Sequence, residues 1–369
     1  MKPTYYAPEP HKKTPAHIIQ WLRTHRTRSI VLAGVVSIIL VGGVAAFMMS
    51  QQPAHTDTTP SAPSPSKKSA PPVVYYSPLT GEKVESEQAT KQAVTAIMIE
   101  NSPDARPQSG LKSAGVVYEA VAEGGITRFL ALYQQQKPTL IGPVRSVRLY
   151  YVDWLAPYQA SVAHVGGSQY ALQEVRNGSY RDIDQFFNGG SYWRASDRYP
   201  PHNVYTSFER LDALNAAKGY TTSNFTSFPR VDGKPAASPT ANSVTINISG
   251  PLYNTAYTYD ATSNTYLRSV AGGPSNDREL GRIAPSVVVA MKVDMSLVFE
   301  DGYRESITTS GTGNAVIFQN GIATECTWRK KSRSSPLELL DASGQAIPLI
   351  RGQTWIAAVP NGTGGVSWQ

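Results

Sequence analysis

Four groups of residues in this chain could do chemistry. In VVYEAVAEGGITRF, Glu119 and Glu123 stand four apart, so strand or helix spacing alike puts both carboxylates on one side. On a strand they would lie ~13 Å apart at ~3.3 Å per residue, too far for a retaining-glycosidase pair at about 5–5.5 Å. Arg128 is a nearby counter-charge, and a polar strand face is the plain alternative. The run IGPVRSVRLYYVDW opens on Gly-Pro and continues with helical spacing, which puts Arg145 and Arg148 on one face of the first turns. Two guanidinium groups at a helix's positive end suit an anion; the competing reading pairs each with an acid such as Glu119, Glu123 or Asp153.

In VAHVGGSQYALQEV a strand ends at His164, turns through Gly166 and Gly167, and enters a helix capped by Ser168. Backbone N–H groups at such a junction can cradle an anion. His202 and Asn203 follow Pro200 and Pro201 in RYPPHNVYTS, where the prolines fix the backbone just before them. Either histidine could equally be a hydrogen-bonded packing residue. The other four, His11, His17, His25 and His55, precede the expected folded body. With no HExxH, CxxC or clustered ligand spacing, no metal and no cofactor are expected. Ser109-Gly-Leu-Lys112 fits SxxK but lacks its partner motifs, and GxSxG, a Walker loop and a complete GxGxxG are all missing. The single Cys326 excludes an internal disulfide. Sharing a strand face with Trp328 in TECTW, it reads as a small buried hydrophobe.

The elements that must position these groups are predicted as an α+β body. Its first part, 75–222, mixes strands (Ala93–Ile99, Gly115–Ala122, Thr127–Tyr133, Gln159–His164) with helices (Val144–Leu155, Gln169–Arg176, Phe208–Lys218). A Pro, Ser and Thr-rich linker at 223–243 marks a domain boundary. The second part, 244–362, is mainly β, with strands at Val244–Ile248, Ala256–Tyr259, Tyr266–Ser269, Ser286–Val293, Ala315–Gln319, Ala323–Lys330 and Trp355–Val359. Gly311–Asn314 and Asn320-Gly321 are expected as hairpin turns, and 363–369 as a tail.

Charge and hydropathy organise the rest. The formal charge of +7 resides mostly in residues 1–29, which carry six basic side chains against Glu9 alone. No basic footprint for nucleic acid is left in the body. Residues 30–49 are 20 uncharged, largely apolar residues, which at ~1.5 Å each match a ~30 Å hydrocarbon core. They are longer than the apolar region of a cleaved signal. Arg23, Arg26 and Arg28 on their amino side place 1–29 in the cytoplasm and everything after Ser50 outside. Residues 50–74, rich in Pro, Ser and Thr, are expected as a disordered, semi-rigid stalk.

Several unusual strings recur in the order found in a known family: ENSPDARPQSGL at 100–111, VVYEAVAEGGITRFLALY at 116–133, IGPVRSVRLYYVDW at 141–154, VAHVGGS at 162–168, PPHNVYTS at 200–207 and RGQTWIAAVP at 351–360. In these the chain resembles the YerB-like lipoproteins, a bacterial domain family of unknown function with N-terminal and C-terminal parts. The resemblance spans roughly 75–362 and implies the two-part body. No cysteine follows the apolar segment, so the spanning helix would replace the lipid anchor. The resemblance implies no activity, because a fold does not determine one. The residues themselves lead to a binding or adaptor module that holds an anionic or glycan envelope component through Glu119, Glu123, Arg128, Arg145, Arg148, His164 and His202. Two alternatives stay open. One is a metal-independent cell-wall hydrolase with a glutamate and a histidine as acid–base partners; the other is a scaffold that binds another protein.

Overall fold

The computed structural model describes residues 73–298 and 304–369. Residues 1–29, the apolar 30–49 segment and all of the stalk except Val73 and Val74 lie outside them. Among the described residues no helix is long and apolar enough to cross a membrane.

The body mixes helix and strand, with strand predominating, around one ten-stranded sheet. Its strands are β1 (Thr95–Glu100), β2 (Val116–Val121), β3 (Thr127–Tyr133), β4 (Ser161–Ala163), β5 (Arg181–Asp182), β6 (Val287–Val293), β7 (Gly311–Gln319), β8 (Ile322–Lys330), β9 (Glu338–Leu340) and β10 (Thr354–Pro360). The order is β9-β8-β7-β6-β10-β2-β3-β1-β4-β5. β10 is parallel to both of its neighbours, β6 and β2, and thereby joins strands from the two sides of the 223–243 segment. β1, β2 and β3 are buried at every position. Both faces of the sheet are covered, which is why these strands read as continuous apolar runs instead of alternating ones.

One face packs Met98, Tyr118 and Leu130 under helix α1 (Leu149–Leu155), whose Tyr151 and Trp154 are buried. On the other, Val117, Phe129 and Trp355 pack with Phe208 of helix α3 (Phe208–Ala217), beyond helix α2 (Gln169–Val175) in the chain. Farther along that face, Val288 and Ala290 meet a five-stranded sheet through Ile246, Tyr257 and Tyr266. Its edge strand is Gly365–Trp368, paired with Ser243–Asn247, so the residues read as a tail complete a sheet.

The 223–243 segment is an extended strap. Arg230 and Val231 run parallel to Leu349 and Ile350. The Arg230 guanidinium donates to the Ile350 carbonyl at 3.0 Å, Thr354 Oγ1 at 2.9 Å and the Leu79 carbonyl at 2.8 Å. Asn320 and Gly321 form the expected two-residue hairpin turn, both with positive φ as a type I′ turn requires. Gly311–Asn314 is strand, not turn. The expected helix at 144–155 begins only at Leu149. Before it the backbone is extended, because Val144 N–H is taken by the Val204 carbonyl, Arg145 N–H by Met98 and Val147 N–H by Gly166.

Candidate functional site

The side chain that organises the site is Glu100, the last residue of β1. It is almost wholly buried, yet it ends a strand at the sheet's rim, where the following segment NSPDARPQ folds back. Its Oε1 accepts from Ser102 Oγ at 2.9 Å and His202 Nδ1 at 2.9 Å, and Arg145 Nε lies 3.2 Å from its Oε2. His202 is delivered by the loop between the paired strands Tyr192–Arg194 and Val204–Thr206. Arg198 clips that loop to the first segment, donating to the main-chain carbonyls of Asp104 and Pro107, each at 2.7 Å. Arg106 likewise donates to the carbonyls of Asn101 (2.9 Å) and Leu252 (2.8 Å). Between the two segments lies an open cleft of about 670 Å³, lined among others by Asp104, Arg106, Asp197, Arg198, His202 and Arg278.

Two features define what this cleft can do. Arg278 pairs with Asp197 at 2.6 Å, whereas Arg106 and Arg198 have no carboxylate within ion-pairing distance among the described residues. Neutral carbonyls orient those two guanidinium groups without cancelling their charge. With Nδ1 donating to Glu100, His202 keeps Nε2 for the cleft, where its nearest acid is exposed Asp104 at 4.0 Å.

The other expected site residues fall into separate groups. Glu119 sits in β2, fully buried, where Arg268 Nη2 donates to both oxygens (3.1 and 2.9 Å) and Trp355 Nε1 to one at 2.9 Å. The Arg268 guanidinium lies over the Trp355 ring, 4.5 Å from its centroid. Burial opposes its charge most strongly, but Glu119 and Tyr257 together outweigh burial and raise its pKa. Glu119 and Glu123 do not share a strand face: β2 ends at Val121, and Glu123 already opens a tight helical turn, so strand alternation does not reach it. Glu123 instead binds Arg128 at 2.8 Å and Arg148. Burial would raise its pKa, but the two arginines override burial and hold it down to about 2.

Arg145 and Arg148 therefore serve different acids, Glu100 and Glu123, and are not a pair on one helix face. Their segment is extended, so residues three apart diverge. His164 is fully buried against Asp182. At the Gly166–Gly167 turn the Gly166 carbonyl accepts from Val147 N–H and His164 Nδ1, and the Ser168 N–H that follows is taken by the Val147 carbonyl. Ser168 precedes α2 without a side-chain capping bond. Asn203 closes its hairpin, accepting from Arg194 at 2.8 Å and donating to the Ala195 carbonyl at 3.2 Å. Glu100, Arg106, Arg198, Arg268 and Arg278 carried no chemical reading in the sequence. The string ENSPDARPQSGL, which holds the first two, was read only for its resemblance to the family.

Residues 79–221 match the family model described as "Protein of unknown function (DUF3048) N-terminal domain", and residues 244–356 match its C-terminal domain. The chain belongs to this YerB-like family. It is 35% identical over 290 residues to the Bacillus subtilis protein "Putative lipoprotein YerB", covering 77% of this chain and 86% of that one. The crystal structure of YerB from Bacillus subtilis superposes with a TM-score of 0.71 at 30% identity, over 79% of this chain and 99% of that one. The gap between the two family segments, 222–243, coincides with the strap that Arg230 fastens.

Proposed function

We propose that this is an envelope protein, anchored by residues 30–49 with its amino terminus in the cytoplasm, whose outward-facing two-part body binds an anionic, hydroxyl-bearing envelope polymer in the Arg106–Arg198–His202 cleft. The relative's description as a lipoprotein supports the envelope setting. The observation that carries the binding reading is the pair of carbonyl-held guanidinium groups, Arg106 and Arg198, which present positive charge in fixed geometry, without a direct carboxylate ion pair among the described residues, at an open cleft. Nucleic acid is not the anion of choice, since most of the chain's excess basicity lies in residues 1–29. The test is co-sedimentation of the full chain, in detergent, with purified cell-wall sacculi that either retain or lack their anionic polymers. Retention should depend on those polymers and fall at least about tenfold in Arg198→Gln, the equivalent of ~1.4 kcal/mol. Retention indifferent to both changes would refute the reading.

A hydrolytic role is the second reading, and it is favoured by the orientation of His202. With Glu100 holding Nδ1–H, Nε2 is available as a general base facing the cleft. It requires that wild type releases soluble wall fragments, and that His202→Gln stops the release while retention persists. Wild-type protein that binds sacculi and releases nothing would leave the binding role alone.

A further inference from the structure

We propose that His164, Asp182 and Asp184 form a site for a divalent cation, which Arg176 closes when no metal is bound. Among the described residues these three offer one ligand atom each within 4.8 Å of one another. The site uses none of the residues named in the cleft.

Each ligand is held by a group behind it. His164 is fully buried, and its Nδ1 donates to the Gly166 carbonyl at 2.7 Å, which commits Nε2 as the ligating nitrogen. Such a carbonyl behind the imidazole is what fixes tautomer and ring orientation in metal-bound histidines. One oxygen of each carboxylate is tethered by a backbone N–H: Asp182 Oδ1 by Asp184 at 3.0 Å, and Asp184 Oδ1 by Phe187 at 2.9 Å. Asp182 and Asp184 thus turn their Oδ2 atoms to a common side.

His164 Nε2 lies 3.0 Å from Asp182 Oδ1, so the ring nitrogen and the carboxylate face each other across the site. The Arg176 guanidinium already stands at the mouth, with Nε 3.5 Å from Asp182 Oδ2 and Nη2 on Asp184 Oδ2. Its side chain is 35% exposed and stacks on the exposed Phe187 ring at 4.9 Å, so it can swing aside without uncovering the core. One imidazole with two carboxylates suits a first-row divalent ion such as Mn²⁺ or Zn²⁺. Motif spacing hid the site because Asp182 lies 18 residues beyond His164.

The test is equilibrium dialysis of the full chain against Mn²⁺ and, separately, Zn²⁺, with bound metal counted by mass spectrometry. Wild type should bind one ion more than Asp184→Asn, which subtracts any binding by the four histidines that precede the folded body. Arg176→Ala should bind that ion roughly tenfold more tightly, because it removes the competing charge. Asp182→Asn, at a partly exposed ligand, gives the same subtraction if Asp184→Asn does not fold. Wild type and Arg176→Ala that hold no more of either metal than the aspartate variant at millimolar concentration would overturn the proposal.

Discussion

Two carboxylates a few ångströms from arginines meet opposite fates in this molecule. Glu119 lies in the dry centre with every oxygen accounted for, by Arg268, Trp355 and Thr127. Glu100 lies at the end of a strand, where Arg145 approaches its Oε2 without a hydrogen bond and His202 opens to the cleft. The first arrangement joins the two family segments, since Glu119 and Arg268 come from different ones. The second can change partners. Ion pairs that are fully satisfied hold a fold together, and those that are not are where a ligand can enter.

The sharpest break in that contrast is Glu119→Ala. It leaves Arg268 buried without its acid and should cost ~3–5 kcal/mol in urea unfolding, whereas replacing both partners with apolar residues of similar volume should recover most of the loss. A loss below ~1 kcal/mol would show that water reaches the pair and that it is no lock.

Glu123 comes next. Its pKa is depressed to about 2 in the folded state, so its contribution is fully present above the ordinary carboxylate range near 4.5 and is lost as pH falls through about 2. For this mostly buried group that amounts to on the order of 2–3 kcal/mol. Glu123→Gln should flatten the fall in stability between pH 5 and 2; an unchanged acid limb would remove the cluster from the account. Sacculus retention near neutral pH should not respond to this change, in contrast with Arg198→Gln.

The smallest effect is kinetic. Burial pushes the Cys326 thiol up to about 11, so alkylation at pH 8 should be slow in the folded chain and rapid in urea. Fast labelling of the native protein would mean that β8 is less well covered than Trp328 suggests.

The parts of the fold legible in the sequence were those fixed by local burial. Thr127–Tyr133 was found as a strand with both ends in place, and the strands around Val117, Val289 and Ile356 within a few residues, because continuous apolar runs need two covered faces. Residues 144–148 misled, since the spacing of RSVRLYYVDW is helical while its first backbone groups are claimed by Met98, Val204 and Gly166, up to about sixty residues away. The site suffered in the same way. Arg128 as partner of a glutamate was readable at short range, but the Arg268 that neutralises Glu119 lies 149 residues on. The carbonyls that orient Arg106 and Arg198 have no signature in side-chain types at all.

The position of β10 governs how the protein comes into being. It is the last strand of the large sheet in the chain, yet it lies in the interior between β6 and β2. A polypeptide emerging from its amino end must therefore wait with β2 lacking a neighbour until residues 354–360 arrive. Late insertion of a long-range parallel strand is intrinsically slow, and until it happens an open β edge invites mispairing with other chains.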